Sequence, residues 1–128
     1  MNDLPGKSYE DLIVWQKAMD LVVEIYGLVK LLPKTEEYAL SDQMRRAAVS
    51  IPSNIAEGQQ RRSGKEFVRF LYIANGSCAE LKTQLLICQR LKYLDAAQIK
   101  HATELCDEIG KMLNSLIHKL TTNNRRLS

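Results

Sequence analysis

The sequence predicts an all-α fold, an up-down-up-down four-helix bundle with a proline-kinked second helix, and three observations predict it. Apolar residues recur at alternating steps of three and four along four long segments, which is helical rather than strand-like spacing. Serine, aspartate and proline punctuate the segments at positions suited to helix ends, and the connections between them are short. Aromatic, glycine and proline residues are sparse, and no alternating apolar run is bounded by turn residues. Alternating threes and fours pack neighbouring helices at about 20°. At 128 residues the chain suits one domain spanning 1–128, with a core over 9–120 and a frayed tail over 121–128.

The first helix is expected after Ser8, a capping residue followed by Glu10 and Asp11, and is expected to run to Leu32, where Pro33 stops it. Its core seam reads Leu12, Trp15, Met19, Val22, Tyr26 and Val29. The apolar arc is wider than one seam needs, filling about 220° at 100° per residue, against little more than 100° for a helix with a single buried face. The excess is Val14, Ala18, Leu21 and Ile25, expected to form an exposed strip and hence an interface between copies of the chain, the alternative being that the kinked second helix or the loops cover it within one chain.

The second helix begins at Thr35 or Ser41 and runs to Gln60, with Gly58 near a fraying end. Pro52 lies inside it. The missing N–H costs the Ala48 carbonyl its partner, for roughly 3 kcal/mol in all. Yet Leu40, Met44, Ala47, Ala48, Ile51 and Ile55 keep helical spacing across the proline, so a bend is expected rather than a break, with Ser50 or Asn54 bonding the released carbonyl.

The third helix opens at Ser63, whose capping box pairs it with Glu66, and buries Phe67, Leu71, Ala74, Cys78, Leu81, Leu85 and Cys88 before ending near Leu91 to Tyr93. The fourth opens at Asp95 with Gln98 as its box partner, and buries Ile99, Ala102, Leu105, Ile109, Met112, Leu116 and Leu120. The three cysteines, Cys78, Cys88 and Cys106, fall in apolar helical patterns without metal-ligand spacing and read as buried free thiols.

Several stretches together resemble a known family, the four-helix-bundle proteins encoded by intervening sequences within bacterial 23S ribosomal RNA genes. They are Asp11-Leu12, Val14-Trp15-Gln16-Lys17-Ala18, Gln43 through Gly58, Glu66-Phe67, Phe70-Leu71, Gly76-Ser77, Glu80-Leu81 and Gln84-Leu85. The resemblance spans Tyr9 to Leu120. It implies a small helical bundle assembling as a ring, a pentamer, similar in fold to the accessory proteins of reverse transcriptases in diversity-generating retroelements. It supplies no catalytic motif.

The formal net charge is only +3, so the distribution of charge carries more information than its sum. Arg45, Arg46, Arg61, Arg62, Lys65 and Arg69 crowd the stretch from Ser41 to Phe70 against Asp42, Glu57 and Glu66, and Arg61, Lys65 and Arg69 recur every four residues. Such a stripe can follow a phosphate backbone, and a ring would multiply it. The alternative is a set of solvated helix faces in which Arg45 or Arg46 bonds Glu57 or Glu80. Asn123 to Arg126 would add a basic tail.

An enzyme is not expected. His101, Glu104 and Glu108 share a face of the fourth helix, but di-iron bundles place histidine three residues after glutamate on paired helices. No nucleophile has a base partner, and no glycine-rich phosphate loop follows a strand. Neither cofactor nor metal is implied. No apolar run approaches the roughly 20 residues of a membrane span, and no leader pattern opens the chain, so the expected location is cytoplasmic. Two readings remain: a ring that binds RNA weakly through a basic face, and a protein-binding or structural scaffold serving a nucleic-acid-processing protein.

Overall fold

The computed structural model describes residues 8–127, with side chains through Thr122. Four helices make up the fold: α1 (Ile13–Val29), α2 (Leu40–Gln60), α3 (Gly64–Arg90) and α4 (Ala96–Leu127). Each packs against its neighbours in the chain, and α4 closes on α1. The pairings Met44–Cys88 and Ser50–Ser77 run in opposite senses along α2 and α3, as do Asn75–Asn114 and Lys82–Asp107 along α3 and α4. Both helix pairs are therefore antiparallel.

The start of α1 is later than the sequence suggests. Ser8 does cap, its Oγ accepting the Glu10 N–H at 3.2 Å, but the turn it caps is a separate 3-10 turn, Tyr9–Asp11. Leu12 is extended, so the α-helix begins at Ile13. At the other end the helix tightens, with the Leu31 and Leu32 N–H groups bonding carbonyls three residues back, before Pro33 leads into a second 3-10 turn, Lys34–Glu36. Ala39 cannot cap α2 with a side chain. Glu36 supplies the missing acceptor, its Oε1 taking the Leu40 N–H.

Pro52 lies inside an unbroken α2. The compensation differs from the one expected: Asn54 Nδ2 donates to the Ser50 carbonyl at 2.8 Å and to Ser50 Oγ at 2.9 Å, not to the Ala48 carbonyl. Ser50 Oγ in turn lies 2.9 Å from Ser77 Oγ on α3, so the polar residues around the proline tie two helices together. Gly58 is not a fraying end. It is buried where α2 meets α3, and a Cβ there would lie 2.7 Å from Phe70 Cβ and 3.0 Å from Phe67 Cδ1. The capping box of α4 is reciprocal, at 2.8 and 2.9 Å, whereas in α3 Ser63 Oγ accepts the Glu66 N–H while the Glu66 carboxylate turns to Arg69. The fourth helix continues to Leu127, through most of the stretch expected as a frayed tail.

The largest correction concerns the phase of α1. Val14, Ala18, Leu21 and Ile25, expected to face outward as an interface, are at most 4% exposed and line the core of the single chain. Met19 and Tyr26, expected in the core, are 41% and 43% exposed, and Trp15 and Val22 are half-buried at its edge. Both sets have helical period, and the breadth of the apolar arc leaves the choice between them to packing. Ala18, fully buried, lies at the middle of the seam that packing selects. A smaller slip affects α4, where Leu113 and Ile117 enter the core and Met112 and Leu116 pack at its margin.

Candidate nucleic-acid interface

The basic residues divide into two groups. Arg61 follows the last turn of α2, and Arg62 takes a left-handed backbone with φ 58°, which reverses the chain into the Ser63 cap of α3. Lys65 and Arg69 then lie on the first two turns of α3. Arg61, Lys65 and Arg69 do not form a stripe on one helix, because the turn separates the first from the other two. Phe70 brings the group together instead. The Arg61 guanidinium carbon lies 5.1 Å from the centre of the buried Phe70 ring and that of Arg69 lies 4.5 Å from it, so two cations share one aromatic ring. Gly58 is what lets Phe70 sit so close to α2.

Carboxylates temper this cluster. Arg61 bonds Glu57 at 2.9 Å and Arg69 bonds Glu66 at 3.1 Å, and that bond holds the Glu66 carboxyl below its ordinary range, helped by the charges of Arg61 and Lys65. Both pairs stay exposed, so the arginines remain available to a stronger anion. Among the described residues Arg62 and Lys65 have no ion-pair partner. The turn thus carries four cations against two carboxylates, within the span of about three helical turns.

Arg45 and Arg46 stand apart, about 22 Å up α2 at 1.5 Å per residue. Neither bonds Glu57 or Glu80. Arg45 reaches the carbonyl and carboxylate of Glu37, and Arg46 pairs with Asp42 one turn earlier. With Tyr26, Val49 and Ser50 they line an open groove of about 420 Å³ between α1 and α2. The side chains of Asn123 to Arg126, the expected basic tail, lie outside the described residues.

The remaining polar candidates are engaged structurally. Glu104 bonds Lys100 and Glu108 bonds Lys17 on α1, so the carboxylates that share a face with His101 are drawn to different lysines. Burial pushes the thiols of Cys78 and Cys106 up to about 12 and that of Cys88 up to about 11. No described helix is long and apolar enough to cross a membrane.

The sequence family described as 23S rRNA-intervening sequence protein matches residues 10–115, nearly the whole bundle. The chain belongs to that family. A solved structure from Bacteroides thetaiotaomicron, described as a protein with unknown function from the S23 ribosomal protein family, is similar over 82% of this chain and 98% of its own, with 31% identity and a TM-score of 0.76. No curated protein matches the chain. In this intervening-sequence protein the matched region holds both basic groups, the proline of α2 and the Phe70 junction.

Two residues of the interface escape a reading of charge alone. At 100° per residue Phe70 shares its angle around α3 with Cys88 of the expected core seam and is buried, whereas Tyr72 falls on the opposite face and is exposed. Helical spacing carries the signal for both.

Proposed function

We propose that this protein is a non-enzymatic RNA-binding bundle whose contact face is the α2–α3 turn, formed by Arg61, Arg62, Lys65 and Arg69. The observation that carries this reading is the local excess of cations: four beside two carboxylates, two of them without an ion-pair partner among the described residues, in a chain whose net charge is only +3. The names of the family and of the Bacteroides relative both refer to the ribosome or its RNA, which makes RNA the polyanion of choice. Arg45 and Arg46, about 22 Å away along α2, are too distant to belong to the same footprint. Binding of this kind is electrostatic, weak per subunit and tolerant of sequence.

The test is a salt titration of RNA binding for the native protein and for an Arg62→Gly, Lys65→Gln variant. Glycine suits the left-handed turn at position 62, so this variant removes two cations without loosening the fold. The expected outcome is weaker binding and a log–log salt slope shallower by about 0.7 for each lost contact on a single strand. An unchanged affinity and slope, or no RNA binding by the native protein at low salt, would refute the reading.

A second reading, a self-associating or protein-binding scaffold, is favoured by a separate observation. Met19, Val23 and Tyr26 recur at helical spacing on the outer face of α1, with Val23 72% exposed. A ring of subunits, the pentamer expected from the resemblance, would cover such a surface and array one basic turn per subunit.

A further inference from the structure

The outward face of α3 carries an aromatic ring in line with the cations. At 100° per residue, Lys65, Arg69, Tyr72 and Gly76 fall within an arc of about 60°. Tyr72 is 59% exposed, too open to belong to the core. Its next neighbour along that face is Gly76, where even a Cβ would meet nothing within 4 Å, so no side chain covers the surface beyond the ring. The flanking carboxylate, Glu66, lies about 100° from Lys65 around the helix and is held by Arg69. Along this face the residues run lysine, arginine, open aromatic ring and bare backbone, with the Arg69 guanidinium drawn to Phe70 and Glu66 at its edge.

We infer that the ligand of this face is single-stranded RNA, with phosphates held by Arg62, Lys65 and Arg69 and a base stacked on Tyr72; the inference rests on the RNA-binding reading above. The charge of the face selects a polyanion, and the ring selects its form. In an A-form duplex the bases are stacked on one another inside the helix, and an aromatic side chain standing on a protein surface has no base face to meet. An unpaired strand presents its bases, and stacking adds to the phosphate contacts without depending on which base is present. Along the axis Lys65 and Tyr72 are about 10 Å apart, within the span of a few nucleotides of one strand.

Fluorescence anisotropy with a labelled 12-nucleotide single-stranded RNA and a 12-base-pair RNA duplex, using native protein, Tyr72→Ala and Tyr72→Phe, tests this directly. The single strand is expected to bind the native protein more tightly than the duplex. Tyr72→Ala should weaken single-strand binding by roughly 5- to 150-fold with the salt slope unchanged, while Tyr72→Phe keeps the affinity, since the ring and not the hydroxyl does the stacking. Circular dichroism of the exposed-site variants controls for folding. Equal single-strand affinity in native and Tyr72→Ala protein overturns the inference, as does a loss of equal size for single strand and duplex. A Tyr72→Ala variant that changes molecular mass but not RNA affinity also overturns it, and assigns the ring to a protein contact. If the slope responds to Arg62→Gly, Lys65→Gln but Tyr72→Ala binds normally, only this inference fails. If native protein binds neither RNA, the proposed function fails with it.

Discussion

Glycine shows how far the meaning of a residue depends on what stands opposite it. Gly27, in the last turn of α1, and Gly76, in the middle of α3, have open space where a Cβ would go, whereas a Cβ at Gly58 would collide with Phe70. Alanine at 27 or 76 should gain up to about 1 kcal/mol of stability from helix propensity. Gly58→Ala should instead cost about 1–3 kcal/mol, because the close α2–α3 contact must open, and urea denaturation of the three variants measures the contrast. The buried thiols give a second expectation at this scale. In the unfolded chain a cysteine loses its proton near pH 8.5, but folding holds those of Cys78, Cys88 and Cys106 to about 12, 11 and 12. Between those limits the folded state binds more protons than the unfolded one. Stability should thus be unaffected by the thiols below about pH 8.5 and fall as pH rises beyond it, by at most about 1.4 kcal/mol per pH unit for each thiol. Chemical denaturation at pH 7 and pH 10 reads the difference, and native protein at pH 7 should resist thiol alkylation until it is unfolded.

Among the elements, α1 carries the sharpest contrast, because its two possible seams make opposite demands. With Leu21 fully buried and Val23 on the outer face, Leu21→Ala should cost about 2–5 kcal/mol, and Val23→Lys should change stability by no more than about 0.5 kcal/mol. A seam through Met19 and Tyr26 would leave Leu21 replaceable, so urea midpoints of these two variants separate the two phases. The proline of α2 illustrates a different economy. Side chains beside it add bonds that the helix ladder does not supply: Asn54 bonds Ser50, and Ser50 reaches across to Ser77 on α3.

For the whole molecule, a net charge of +3 conveys little, and the placement of charge conveys more. Arg45 and Arg46 are each matched by a carboxylate, whereas the α2–α3 turn gathers four cations against two carboxylates at one end of the bundle. Self-association, if it uses the outer face of α1, has its own signature. The Val23→Lys variant should keep its fold yet move towards monomer mass in light scattering at micromolar concentration, while native protein scatters as an oligomer. A monomeric native protein would rule out the ring and leave each basic turn to act alone.

Helix number, order and approximate limits were legible in the sequence because spacing and capping are local: the serine at 63, the Asp95–Gln98 box and the apolar repeats of α2 and α3 each act within a few residues. The burial of the three cysteines followed from the same repeats. The cations of the candidate face were visible as a cluster of charge, but not their geometry. What only the tertiary structure decided were the features that depend on two elements meeting. It chose the phase of α1, which a broad apolar arc leaves open, and it placed Phe70 under two arginines through a glycine on another helix. The outward position of Tyr72, opposite the core seam of α3, was by contrast legible in the spacing. The physical reason is common to the other two: periodicity says that a helix has a buried side, but which residues of a broad arc are buried, and what they meet there, is set by the volume and position of the helices packed against it.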